Sequence, residues 1–265
     1  MNGAGLTIAD FAAGYGRREV VRDFAPPPLP PGTLAAVVGA NAAGKSTLLK
    51  GLAGLCTARG SVRLDAEELT QLNCAQRLQR VGYLPQQLPQ GSSLVVYEAL
   101  LAALLGGTRQ RVSAAAEATA ERVLDELGLR ALALRRLDEL SGGQRQMVGL
   151  AQVMVRSPRL LLLDEPTSAL DLRWQLRVLG TVRELTRRAG CIALVAIHDL
   201  NLALRYCDRI VVLGSGRLLA AGEPQATLDA ALLARAYGVA ARVERCSLGF
   251  PVVLVDHAIE TENQP

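Results

Sequence analysis

Gly39-Ala-Asn-Ala-Ala-Gly44-Lys45-Ser46-Thr47 is the stretch that decides the fold. It follows the apolar run Leu34 to Val38 and leads into a helical Thr47 to Leu55, giving the order strand, glycine-bearing loop, helix. Its spacing fits G-x-x-x-x-G-K-[ST], in which backbone N–H groups wrap around phosphate oxygens at a helix N-terminus. Glycines suit a loop that must turn sharply and bring its backbone close to an anion with no Cβ in the way. In this reading Lys45 reaches the β- and γ-phosphates and the Ser46 hydroxyl binds Mg²⁺. The bland alternative is an ordinary glycine turn capping a helix, and the buried strand in front of it weighs against that.

Such a loop needs an acid to hold the metal through water. Leu160-Leu-Leu-Leu-Asp164-Glu165-Pro166 supplies one in Asp164, at the end of an apolar strand, with Glu165 beside it. A carboxylate at Glu165 can polarise an attacking water for in-line displacement at a γ-phosphate. Alone, the two acids would read equally well as a buried strand reaching the surface; together with Lys45 and Ser46 they read as a site.

Outward from these two motifs, strand patterns recur at Leu6 to Ala9, Val20 to Phe24, Ser61 to Leu64, Val81 to Leu84, Ile192 to Ile197 and Ile210 to Leu213. Ala25 to Gly32 (APPPLPPG) interrupts them, because proline fixes φ and removes donors. From Tyr97 to Ala133 the texture turns Ala/Leu/Glu/Arg-rich and helical, as an inserted subdomain would be. Helical runs at Leu172 to Arg188 and Asn201 to Tyr206 alternate with the later strands, which predicts a mainly parallel sheet covered on both faces. A helix over Asp229 to Tyr237, strands at Val239 to Val243 and Val252 to Val255, and a fraying polar ETENQP complete the chain. Whether those last strands join the main domain or form a small appendage is open at this level.

Composition removes several function classes. With 265 residues, half of them hydrophobic, the chain has material for a large core, and disorder is excluded. The net charge of +4, from 29 basic and 25 acidic residues, is too modest and dispersed for a nucleic-acid binder. Five scattered cysteines with no C-x-x-C pair indicate neither a disulfide framework nor a zinc site, as a reducing cytoplasm would allow. MNGAGLTIAD lacks the features of a signal peptide, and no apolar run approaches a membrane span.

Leu140-Ser141-Gly142-Gly143-Gln144 stands between the two phosphate motifs, ahead of a helical run from Arg145 to Arg156. Locally Ser141 is a good N-cap, but in this place the pentapeptide resembles the signature motif of ABC-type ATPases. Other stations agree over nearly the whole chain. Gln86 in YLPQ resembles the Q-loop, Ser168-Ala-Leu-Asp171 the D-loop and His198 in AIHDL the switch histidine, while Tyr15 sits where that family places an aromatic against adenine. His198 also follows Asp164 by one further apolar strand, on the sheet edge where ligands gather in α/β folds.

The resemblance implies an α/β P-loop NTPase (RecA-like) core with a mainly parallel sheet, N-terminal antiparallel β elements and an inserted α-helical subdomain. The core would comprise residues 1–85 and 158–240, the insert 86–157, and a C-terminal extension 241–265. It implies ATP held by Tyr15, Gly39, Asn41, Ala42, Ala43, Gly44, Lys45, Ser46 and Thr47 of one copy, with Ser141, Gly142, Gly143, Gln144 and Asp171 acting across a head-to-tail, ATP-dependent homodimer. Catalysis would fall to Glu165, His198 and Gln86, and Mg²⁺ to Ser46, Asp164 and Gln86. A second helix N-terminus brought to the γ-phosphate adds positive potential where negative charge is densest. The loop departs from the usual pattern at Ala42, commonly glycine, and at Ala40, commonly proline or serine. A Cβ at 42 narrows the allowed backbone and is expected to stiffen the loop without abolishing binding.

The short stretch between Gln86 and Ser141 leaves no room for the long insertions of DNA-repair relatives. The segments from His198 to Ile210, Gly216 to Pro224 and Leu233 to Val243 are similar to ATP-binding subunits of bacterial importers for iron-siderophore, haem and cobalamin. That implies permease subunits in the membrane, a periplasmic or extracellular binding protein indirectly, no nucleic acid, and a peripheral position on the cytoplasmic face of the inner membrane. A permease loop would dock in a groove near Gln86 to Leu105. The alternatives are a soluble ABC ATPase acting as a scaffold, for example in iron-sulfur assembly, and a small-molecule kinase, which LSGGQ disfavours.

Overall fold

A computed structural model describes residues 5–88, 92–106, 112–168 and 170–259. The tail ETENQP and Ala169 of the Ser168 to Asp171 segment lie outside the described residues. Strands β1 (Leu6–Tyr15) and β2 (Arg18–Phe24) pair antiparallel, with irregular register between Phe11 and Gly14. β3 (Leu34–Val38) enters a second sheet and is followed by α1 (Lys45–Ala53). β4 (Thr57–Leu64) and the two-residue β5 (Glu67–Glu68) return to the first sheet, whose order is β2-β1-β4-β5.

After α2 (Cys74–Arg80) comes β6 (Val81–Leu84), then the helices α3 (Val96–Leu105), α4 (Ala114–Glu126) and α5 (Gly142–Met154). The chain continues through β7 (Leu160–Asp164), α6 (Leu172–Ala189), β8 (Ile192–Ala196), α7 (Leu200–Tyr206), β9 (Arg209–Gly214) and β10 (Arg217–Gly222). The second sheet has the order β10-β9-β3-β8-β7-β6, parallel throughout except for β10.

The central strands lack alternation because both faces are covered. Leu34, Ala36 and Val38 face one core with the helices, whereas Ala35 and Val37 face another shared with α1 and the antiparallel sheet. Leu161 and Leu163 against Leu160 and Leu162 divide in the same way.

The chain ends in α8 (Pro224–Thr227), α9 (Ala230–Tyr237) and the hairpin β11 (Val239–Arg245) and β12 (Pro251–Ala258). The hairpin does not stand apart. Ala241 and Val253 are buried in the larger core, and the Asn201 amide on α7 bonds both the N–H and the carbonyl of Val253.

Several boundaries differ from those read in the sequence. β1 extends to Tyr15 rather than Ala9, because its irregular pairing breaks the alternation. α2 buries no residue and so shows no apolar period, and β10 is a strand built of leucine and alanine.

Candidate functional site

The loop after β3 carries three left-handed residues, Gly39 (φ 150°), Ala42 (φ 61°) and Gly44 (φ 101°). A Cβ on Gly39 would lie 2.3 Å from the Leu213 carbonyl oxygen, so only glycine fits there. Gly44 caps α1 with no side-chain hydrogen bond and no acid in the first turn. Most other α-helices start differently: Asn73, Ser113, Ser141, Asp171, Asp199 and Asp229 each accept a backbone N–H at a helix start. The N–H groups of α1 are thus left to a ligand, at the positive end of the helix dipole.

Lys45 is buried, and its Nζ donates to the carbonyls of Gly39 at 2.8 Å and Ala40 at 3.1 Å. Burial pushes its ammonium below the ordinary lysine value, while the Glu165 and Asp164 carboxylates pull it back up. The cavity over the loop, of about 480 Å³, is open and lined by Tyr15, Arg18, Val20, Asn41 to Thr47 and Glu165. Tyr15 is half exposed at its rim.

The ends of β3 and β7 reach this cavity, and those of the parallel strands β6 and β8 lie on the same edge of the sheet. Ser46 Oγ donates to Asp164 Oδ1 at 2.8 Å, joining residues 118 apart in sequence. Glu165 takes a left-handed backbone (φ 49°), an uncommon conformation for a non-glycine residue, at the end of β7. Its Oε2 accepts from Gln86 Nε2 at 2.7 Å, and its Oε1 lies 2.5 Å from His198 Nε2. The expected cluster of Lys45, Ser46, Gln86, Asp164, Glu165 and His198 is therefore assembled within one chain.

Residues 141–144 are not part of that cluster. Ser141 and Gln144 form a capping box on α5, with Gln144 N donating to Ser141 Oγ and Ser141 N to Gln144 Oε1. Ser141 and Gly142 are exposed, while Gly143 is buried under the Trp174 ring, which a Cβ would meet at 2.3 Å. Asp171 caps α6 by accepting from Trp174 N at 2.9 Å.

Tyr83 was not singled out by the motifs, yet its hydroxyl donates to Asp164 Oδ2 at 3.1 Å. Burial, then the neighbouring Asp164 carboxylate, raises its phenol well above the usual value, so it stays a donor at neutral pH. The signal was there: a rare aromatic, in a chain with 3% of them, at the edge of YLPQ.

A hydroxyl and a carboxylate at hydrogen-bond distance are hard oxygen donors of the kind Mg²⁺ takes alongside waters and substrate phosphates. Among the described residues no group of three or more His, Cys, Asp or Glu could hold a metal ion by itself.

Fold and site together define a nucleoside triphosphatase with a phosphate loop, a strand-end acid pair and a second, outward-facing glycine-rich helix start. The family model described as ABC transporter matches residues 28–168, and the chain belongs to that family. It is 41% identical to the hemin import ATP-binding protein HmuV of Myxococcus xanthus, covering 81% of this chain and 83% of that one. It is 34% identical to the achromobactin transport ATP-binding protein CbrD of Dickeya dadantii, covering 90% and 89%. Among solved structures, a chain of an ABC transporter in an inward-facing conformation matches with a TM-score of 0.81 at 24% identity, covering 96% and 98%, which shows the shared fold. The chain is thus an ATP-binding protein of the ABC transporter family and an ATPase. No helix among the described residues is long and apolar enough to cross a membrane.

Proposed function

We propose that this subunit energises uptake of a chelated-iron or haem type substrate by ATP-driven closure of a head-to-tail pair. The observation that carries the pairing is that Ser141 and Gly142 face solvent at a helix start and do not line the open cavity over their own phosphate loop. A site with its phosphate cradle on one side only is completed when a second copy presents that helix start to the γ-phosphate.

In this reading the α1 N–H groups and Lys45 hold the phosphates, Asn41 to Thr47 form the cradle, and Tyr15 stacks on adenine. Ser46 and Asp164 would hold Mg²⁺ with Gln86 nearby, and the ion would neutralise charge on the β- and γ-oxygens. Both oxygens of Glu165 are engaged by Gln86 and His198. When these partners turn toward the γ-phosphate, the carboxylate is freed to orient the attacking water. Asp171, at the start of α6, would lie across the pair interface. Hydrolysis removes the bridging phosphate and the pair reopens.

The division into a core of residues 1–85 and 158–240, a helical insert 86–157 and an extension 241–265 belongs to the same reading, with Ala241 and Val253 of the extension buried in the larger core. A permease loop would seat in the cavity of about 310 Å³ between α2 and the end of α3, where Leu78 and Leu104 offer apolar surface. The relatives' names support chelated iron or haem as the cargo class. The assembly would sit on the cytoplasmic face of the membrane, with a separate binding protein delivering substrate. Purifying the tagged chain from membranes tests this: a permease should copurify, and ATP with Mg²⁺ should drive pairing. Recovery free of any membrane partner, with ATPase activity intact, favours the soluble scaffold.

A further inference from the structure

We propose that Tyr83 is a positioning residue for the metal acid, holding the Asp164 carboxylate in the plane from which it receives Mg²⁺. The inference rests on Ser46 and Asp164 being the Mg²⁺ site. Asp164 is 3% exposed, and its two oxygens are held from different elements, Oδ1 by Ser46 on α1 and Oδ2 by Tyr83 on β6. One hydrogen bond leaves a carboxylate able to swing about its Cβ–Cγ bond; a second on the other oxygen fixes its plane. The Tyr83 bond also keeps Oδ2 turned away, leaving Oδ1, beside Ser46, to face the cation.

The reach depends on the phenol. In the parallel register Tyr83 pairs with Leu162, two residues short of Asp164. A serine or threonine in that place would not span the distance, and phenylalanine would fill the space without the donor. The ring packs on the core shared by α1 and the antiparallel sheet, which fixes where the hydroxyl points. Outer partners that orient a metal ligand typically carry a tenfold to hundredfold effect on metal affinity when removed.

The test is calorimetric ATP binding to the full chain and to Tyr83→Phe, first in EDTA and then across a Mg²⁺ titration. ATP affinity in EDTA should be unchanged, while the Mg²⁺ midpoint should rise about tenfold in the variant. An unchanged midpoint overturns the proposal, as does a parallel loss of affinity in EDTA, which would mark a purely structural role. A wild-type chain with no Mg²⁺ response would overturn the metal site itself, a result distinguishable from failure of the Tyr83 role alone. Should Tyr83→Phe not fold, Tyr83→3-fluorotyrosine keeps the ring and gives a stronger donor. Its midpoint should fall below that of the wild type, and an unchanged or raised midpoint would overturn the assignment.

Discussion

His198 Nε2 and Glu165 Oε1 lie 2.5 Å apart, although 33 residues separate them in sequence. The contact exists because β7 and β8 are neighbours in parallel register, with Asp164 opposite Ala196, so the residues just beyond each strand end meet. Gln86, just beyond the end of β6, reaches the other Glu165 oxygen from the adjoining strand. The two strands flanking β7 thus each deliver one side chain to the carboxylate that follows β7 itself.

Glu165→Gln keeps the size of that side chain and removes its ability to take a proton. ATP binding should persist while hydrolysis falls by about a hundredfold or more. The variant should elute as a dimer on size-exclusion chromatography with ATP and Mg²⁺, and a persistent monomer would contradict the proposed pairing.

Ser141 has two roles to separate, since it caps α5 and is proposed to face a partner's phosphate. Ser141→Asp retains a good cap, whereas Ser141→Arg should cost about 1 kcal/mol of stability through its loss. Both should leave monomer ATP binding unchanged and abolish pairing, one by repelling the γ-phosphate and the other by bulk. Normal hydrolysis in both variants would sink the two-copy site.

Ala42 occupies a left-handed conformation at φ 61°, which costs an L-residue about 1–2 kcal/mol. Ala42→Gly relieves that strain, against a gain in unfolded-state entropy that costs about 0.4–1 kcal/mol. Chemical denaturation should show a stability gain of between about 0 and about 1.6 kcal/mol by this difference. A clear loss would mean the Ala42 methyl makes packing contacts that outweigh its strain.

Gly143→Ala drives a methyl into Trp174, the one tryptophan of the chain. The expected cost is about 1–3 kcal/mol from displacing the ring. Tryptophan fluorescence reports the shift directly, and an unchanged spectrum with unchanged stability would contradict the packing.

The phosphate loop, the acid pair and the strand-loop-helix succession around the loop were legible because each is local: nine residues specify the loop, and an apolar run ending in Asp164 specifies the strand. Tyr83 was not legible as a partner of Asp164, since nothing in YLPQ says which strand will lie beside it. The capping role of Ser141 was legible, whereas the reason for glycine at 143 was not, because Trp174 arrives from another helix. α2 escaped notice for want of a buried face, and β10 because leucine and alanine are weak strand signals.

By itself, the sequence singled out the local elements on which the proposed chemistry rests: a glycine-bearing loop before a helix, an acid pair at a strand end and a second glycine-rich helix start, each written in a few adjacent residues whose backbone preferences are local. Only the tertiary structure decided which of these meet. It brought Ser46, Tyr83, Gln86 and His198 onto two neighbouring carboxylates, left Ser141 facing outward, and joined the C-terminal hairpin to the main core. The physical reason is that strand adjacency, which sets these contacts, follows from how both faces of the sheet are buried, a property of the whole chain and of no single segment.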